Sequence, residues 1–143
     1  MKYVLDSRVA LKWVLPEVDT GNAIRLRDEF KNAVHDLISP DIFTPEVANG
    51  LATAERQGRI KAGEAGSLLL DIVRQTPAIH SSSQLLIRAV EVAVSMRQAV
   101  YDCIYLALAE AEGCECCAQP LRRHNASTRL TAEHNVKWRQ DFR

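Results

Sequence analysis

The sequence predicts an α/β fold, a mostly parallel sheet covered by helices. Short apolar runs of strand length alternate with longer stretches whose apolar residues recur at helical spacing. Pro and Gly fall between these stretches as breakers. Val100 to Glu112 is apolar nearly all round, the pattern of a central, covered helix.

Lys2-Tyr3-Val4-Leu5 reads as a short buried strand with Asp6 at its mouth. Val9, Trp13 and Val14 then share a helical face, and Pro16 stops that helix. Thr20 or Asn22 starts the next, with Leu26, Phe30, Val34 and Leu37 as its core stripe. Pro40 breaks the chain. Thr44 is placed as an N-cap with Pro45 at the first helical position; Val47, Leu51 and Ala54 continue the apolar face to Gly58. Residues 61–75 form an amphipathic helix through Ala65, Leu69 and Ile72, weakened by Gly63 and Gly66. Pro77 to His80 reads as a short strand. Ser83 caps a helix through Leu86, Val90 and Val94. Gly113 stops the central helix, and Cys114 to Cys117 is the final strand.

A chain of 143 residues is expected to form one domain, residues 1–143, with 118–143 an atypical, irregular C-terminal segment. Its 47% apolar and 25% charged residues are ordinary for a soluble globular protein. No apolar run approaches the roughly 20 residues of a membrane-spanning helix, and the N-terminus lacks the apolar core of a signal peptide. A cytoplasmic protein is the expectation.

Net charge is zero but unevenly placed. Residues 121–143 hold six bases and two acids, a net of +4, and residues 1–120 hold twelve and sixteen, a net of −4. An acidic body with a basic tail is compatible with a cation site plus a nucleic-acid contact; a solvated terminus accounts for it equally. Cys103, Cys114, Cys116 and Cys117 crowd the last third without a matching set, so they read as buried reduced thiols. A zinc site would need a second pair at suitable spacing, which His124 does not supply. His35, His80, His124 and His134 are isolated in the sequence and receive no role.

Three acids stand among residues that read as buried. Asp6 follows Val4-Leu5, Glu46 lies between Pro45 and Val47, and Asp102 opens the most apolar helix. Taken singly, each has an ordinary explanation as a charge at a helix N-terminus. Asp71, Glu91 and Glu55 read as solvated-face charges. Carboxylates converging at one sheet end would repel and raise one another's pKa values, a conflict that a divalent cation removes. Hard oxygen donors suit Mg²⁺ or Mn²⁺, which can activate water against a phosphodiester. No Ser-His-Asp set, Gly-rich phosphate loop or HExxH motif is evident.

The blocks MKYVLDSRVALKWVLPE, FTPEVANGLATAERQGRI and VYDCIYLALAEAEGCE, in that order, resemble the signatures of the PIN-domain family, most of all its VapC-type toxins. The resemblance covers about residues 1–117. It implies a three-layer α/β/α fold and Mg²⁺- or Mn²⁺-dependent cleavage of single-stranded RNA, whether free strand or structured loop. It also implies a homodimer and a cognate antitoxin that inserts into the active-site groove. Asp6, Glu46 and Asp102 match the family's metal-binding carboxylates, and Ser7 matches the small hydroxyl residue after the first acid.

Two departures follow. The family usually carries a fourth acid soon after the last core strand, where this chain reads CECCAQPLRRHN. Glu133, in Leu130-Thr131-Ala132-Glu133, supplies it only if 116–129 loop out. Arg8 stands where a small polar residue is common. It can pair with Asp6 in competition with the cation, grip a substrate phosphate, or point away along its helix. Arg8, Arg122 and Arg123, with Ser7, are the candidate RNA contacts. The alternative is a PIN-like module that binds RNA or an antitoxin without turnover. A receiver-type aspartyl-phosphate domain is disfavoured, because no lysine occurs between Lys61 and Lys137.

Overall fold

The computed structural model describes residues 1–15, 17 and 20–117. Four strands are seen among them: β1 (Lys2–Leu5), β2 (Asp36–Pro40), β3 (Ala78–His80) and β4 (Glu115–Cys117). The helices are α1 (Ser7–Leu11), α2 (Gly21–Lys31), α3 (Phe43–Arg56), α4 (Ala65–Val73), α5 (Leu86–Met96) and α6 (Val100–Glu112). The sheet order is β3-β2-β1-β4, and every pair is parallel. The result is a three-layer α/β/α fold. Among the described residues no helix is long and apolar enough to cross a membrane.

Strand β1 lies inside the sheet, with Val4 paired to Ile38 on one side and Cys116 on the other. Tyr3, Val4 and Leu5 are fully buried, as expected for a central parallel strand covered on both faces. The Ser39 hydroxyl donates to the Leu5 carbonyl at 2.7 Å and ties β2 to the carboxyl end of β1. Cys116 and Cys117 are buried in β4, and no disulfide links the four cysteines.

Several boundaries differ from expectation. Leu37 belongs to β2 rather than to a helical stripe, and Val34 is exposed. The preceding helix ends at Lys31, and Ala33 turns the chain with a positive φ of 56°. Helix α3 begins at Phe43, so Thr44 and Pro45 lie in its first turn and Ile42 is the N-cap, without a side-chain hydrogen bond. Helix α4 is shorter than 61–75, and Gly63 lies outside it at φ +82°. On α5 the buried residues are Ala89, Val92 and Ala93, whereas Leu86, Val90 and Val94 face outward. Small side chains let α5 lie close against α6. Pro16 lies outside the described residues.

The architecture sets one edge apart. Helices α1 and α3 start just after β1 and β2. Helix α6 leads into the parallel strand β4, so it runs back across the sheet and its start lies over the carboxyl edges of the strands. A crossing of α1 over α3 closes this corner. A Cβ at Gly50 would run into the Leu11 side chain, so glycine there permits the close approach.

Candidate functional site

Asp6 has extended backbone (φ −78°, ψ 142°) and is the N-cap of α1. Its N–H donates to the Cys117 carbonyl at 3.1 Å, continuing the β1–β4 ladder. Its carboxylate accepts the Arg8 N–H at 2.7 Å, so it is a capping residue. It is also only 2% exposed, more than a surface cap requires. Its neutralising partner is Arg8. The Arg8 guanidinium donates to both Asp6 oxygens, Nε to Oδ1 at 3.2 Å and Nη2 to Oδ2 at 2.9 Å. The same Nη2 donates to Asp102 Oδ1 at 3.3 Å.

Glu46, in the first turn of α3, is held by neutral donors. Ser7 Oγ donates to Glu46 Oε2 at 3.1 Å and Tyr105 OH donates to the same oxygen at 2.5 Å. The structure thus joins all three predicted acids, with Ser7 and Arg8, in one corner. Ser7, Arg8, Pro45, Glu46, Asn49, Tyr101 and Asp102 line a cleft of about 340 Å³, and Asp6 lies behind Arg8. Glu133, Arg122 and Arg123 lie outside the described residues.

The electrostatics follow from burial and crowding. Burial pushes the Glu46 carboxyl above its usual range, the Tyr105 and Ser7 hydroxyls pull it back, and Asp6 and Asp102 push it up again. Burial likewise raises Asp102, with Arg8 opposing and Asp6 reinforcing. The hydrogen bond to Asp6 is the main cause that raises Arg8, so its charge is secure. Desolvation and Glu46 raise the Tyr105 phenol, which keeps it a proton donor.

The donor set suits a hard divalent cation in kind, since every donor is an oxygen. The spacing is another matter. Among the described residues no group of three Asp, Glu, His or Cys is drawn together closely enough to hold a metal ion. The contacts explain this: Arg8 stands between Asp6 and Asp102, and Glu46 is engaged by Ser7 and Tyr105.

Tyr105 was not legible as a site residue from its place in an apolar helix. The available signal was its phenol: a buried tyrosine needs a partner for its hydroxyl, and Tyr105 lies three residues beyond Asp102 on the same helix face. Asn49 has the same relation to Glu46.

The PIN-domain family profile matches residues 3–117. Ribonuclease VapC3 of Pyrobaculum aerophilum is 30% identical over 115 residues, which covers 79% of this chain and 85% of that protein. The crystal structure of PAE2754 from Pyrobaculum aerophilum superposes with a TM-score of 0.64 at 20% identity, covering 83% of this chain and 74% of that one. The structure of VapBC2 from Rickettsia felis, bound to a DNA fragment from their promoter, gives 0.63 at 16% identity, covering 97% and 98%. Family profile, relative and fold agree: the chain belongs to the PIN-domain family and is homologous to its VapC-type toxins of type II toxin–antitoxin systems.

Proposed function

We propose that this protein is a Mg²⁺- or Mn²⁺-dependent endoribonuclease toxin that cleaves single-stranded RNA and is restrained by a cognate antitoxin. The observation that supports the reading is the corner where Glu46 and Asp102, from two helix starts, line one open cleft and Arg8 links Asp102 to the buried Asp6 at the end of β1. Family membership and the similarity to a ribonuclease support it.

In this reading Asp6, Glu46 and Asp102 hold the divalent ion, and Glu133 is a candidate fourth ligand. When bound, the ion supplies Lewis-acid activation for attack on the phosphodiester. Ser7 and Tyr105 fix the Glu46 carboxylate and limit its orientations. Arg122 and Arg123 of the basic tail contact the RNA backbone. We assign residues 1–143 to a single domain. The exposed face of Leu86, Ile87, Val90 and Val94 on α5 supports a homodimer, since a surface stripe of this kind favours burial.

The test is cleavage of single-stranded RNA by the purified, antitoxin-free protein with Mg²⁺, with Mn²⁺ and with EDTA. Cleavage that needs metal and is lost in Asp6→Asn is expected. Full activity in that variant, or in EDTA, overturns the reading. One observation favours a second reading, a module that binds RNA or antitoxin without turnover: Arg8 already fills the space between two of the acids. Antitoxin binding by a folded protein that never cleaves would select it.

A further inference from the structure

The Arg8 guanidinium donates its hydrogen bonds to two of the three acids, Asp6 and Asp102. It spans both oxygens of the buried Asp6 and reaches across to Asp102 on α6. A planar guanidinium matches a carboxylate fork in this way, whereas an ammonium cannot. Arg8 and the Asp102 it reaches lie 94 residues apart in the chain. Arg8 therefore does part of what a bound cation would do: it offsets charge on Asp6 and Asp102 and ties the end of β1 to α6.

We propose that Arg8 is a resident counter-ion that competes with a divalent cation for Asp6 and Asp102, so that loading of the cleft requires its guanidinium to swing out. This rests on reading the cleft as a divalent-cation site. The geometry permits the exchange. Asp6 is sealed, its side chain 3% exposed, but that of Arg8 is 38% exposed and that of Asp102 30%, so the guanidinium has an open route to water. Three carboxylates against one guanidinium leave the cleft net negative, so it still attracts a second cation. Once displaced, Arg8 remains tethered at the rim of the cleft, where a phosphate would meet it.

Competition of this kind lowers apparent metal affinity by the fraction of time the site is open. The first experiment is isothermal titration of Mn²⁺ into the wild type, Arg8→Gln and Arg8→Lys, each verified as folded by circular dichroism. If Arg8 vacates the carboxylates about a tenth of the time or less, Arg8→Gln binds Mn²⁺ about tenfold or more tightly than the wild type. Arg8→Lys, which keeps the charge but cannot bridge both acids, falls between. In EDTA the Arg8→Gln melting temperature drops, because Asp6 is left buried and unpaired, and Mn²⁺ raises it by more than it raises the wild type. Equal or weaker Mn²⁺ affinity in folded Arg8→Gln overturns the proposal while leaving the cation site intact. No Mn²⁺ binding by any of the three overturns the cation site and the proposal together. Tighter binding without RNA cleavage by any variant upholds the proposal and removes only the nuclease reading.

A second measurement uses the wild type alone and does not depend on a variant folding. The Arg8 Nε–H resonance is followed by proton–nitrogen NMR during a Mg²⁺ titration. It is expected to be protected without metal and to lose protection as the cleft loads. An Arg8 signal unchanged at saturating Mg²⁺ overturns the proposal.

Discussion

Helix α3 carries an acid near each end, and the protein treats the two in opposite ways. Glu46, in the first turn, faces the cleft, and burial pushes its carboxyl above the usual range. Glu55, in the last turn, is at the surface, and backbone N–H groups of Gly63 and Ala65 hold it below that range. The residue type and the helix are the same. What differs is the balance: desolvation and neighbouring acids outweigh two hydroxyl donors at one end, and two backbone N–H donors dominate at the other. Glu46 thus lines the cleft, and Glu55 is committed to scaffolding. The contrast predicts that function and stability separate along one helix.

The largest expected effect is on Glu46. Glu46→Gln should reduce RNA cleavage by about 10²-fold or more, the scale of losing a group that organises transition-state charge. The melting temperature should stay close to wild type, because the amide oxygen still accepts from Ser7 and Tyr105. Cleavage assays beside thermal melts check both halves. Undiminished cleavage would break the comparison.

Next is Tyr105→Phe, which deletes the 2.5 Å hydrogen bond to Glu46 without changing packing. A hydrogen bond to a charged group contributes about 1.5–3 kcal/mol, and urea denaturation should show a loss in that range. A loss under about 0.5 kcal/mol, the ordinary scatter of inert substitutions, would show that Ser7 alone fixes Glu46. Gly50→Leu probes the same corner from behind. It overfills the contact with Leu11 and should cost about 1–3 kcal/mol by the same measurement.

These residues also mark where the sequence was readable. Lys2 to Leu5 announced a buried strand, and Val100 to Gly113 a central helix with its stop; both stand as read. Asp6, Glu46 and Asp102 stood out as acids among apolar neighbours; Glu46 and Asp102 line the cleft, and Asp6 is buried behind Arg8. Strand β2 was hidden because Phe30, Val34 and Leu37 also fall at helical spacing, and a buried parallel strand of a few apolar residues has no period of its own. The face of α5 was inverted for a different reason. Large apolar residues read as core, but the close packing of α5 on α6 selects Ala89 and Ala93 and leaves Leu86, Val90 and Val94 outside. Glu55 read as a solvated charge because its partners lie beyond a glycine turn that no helical period foretells. Arg8 was seen as an anomaly with three possible directions; only the third dimension shows it joining Asp6 to Asp102.

The smallest effect is expected at Glu55, and its pH dependence is the sharpest part of the comparison. Oε1 accepts the Gly63 N–H at 2.8 Å and Oε2 accepts the Ala65 N–H at 2.9 Å, so the end of α3 satisfies donors at the start of α4. Gly63 reaches this position at φ +82°, which a side chain would resist. Because the folded carboxyl lies below its usual value of 4.5, the unfolded chain binds more protons between the two values. Stability therefore rises with pH across that window. The contribution is complete above the usual value and is lost as pH falls through the lowered folded one. Glu55→Gln, which cannot titrate, should melt below wild type at neutral pH, with the gap closing in acid and RNA cleavage unchanged throughout. A gap that persists at the acid end would mean that the carboxylate charge is not what holds α4 to α3. Shape alone would then account for the contact, and the two ends of α3 would differ in burial but not in electrostatic commitment.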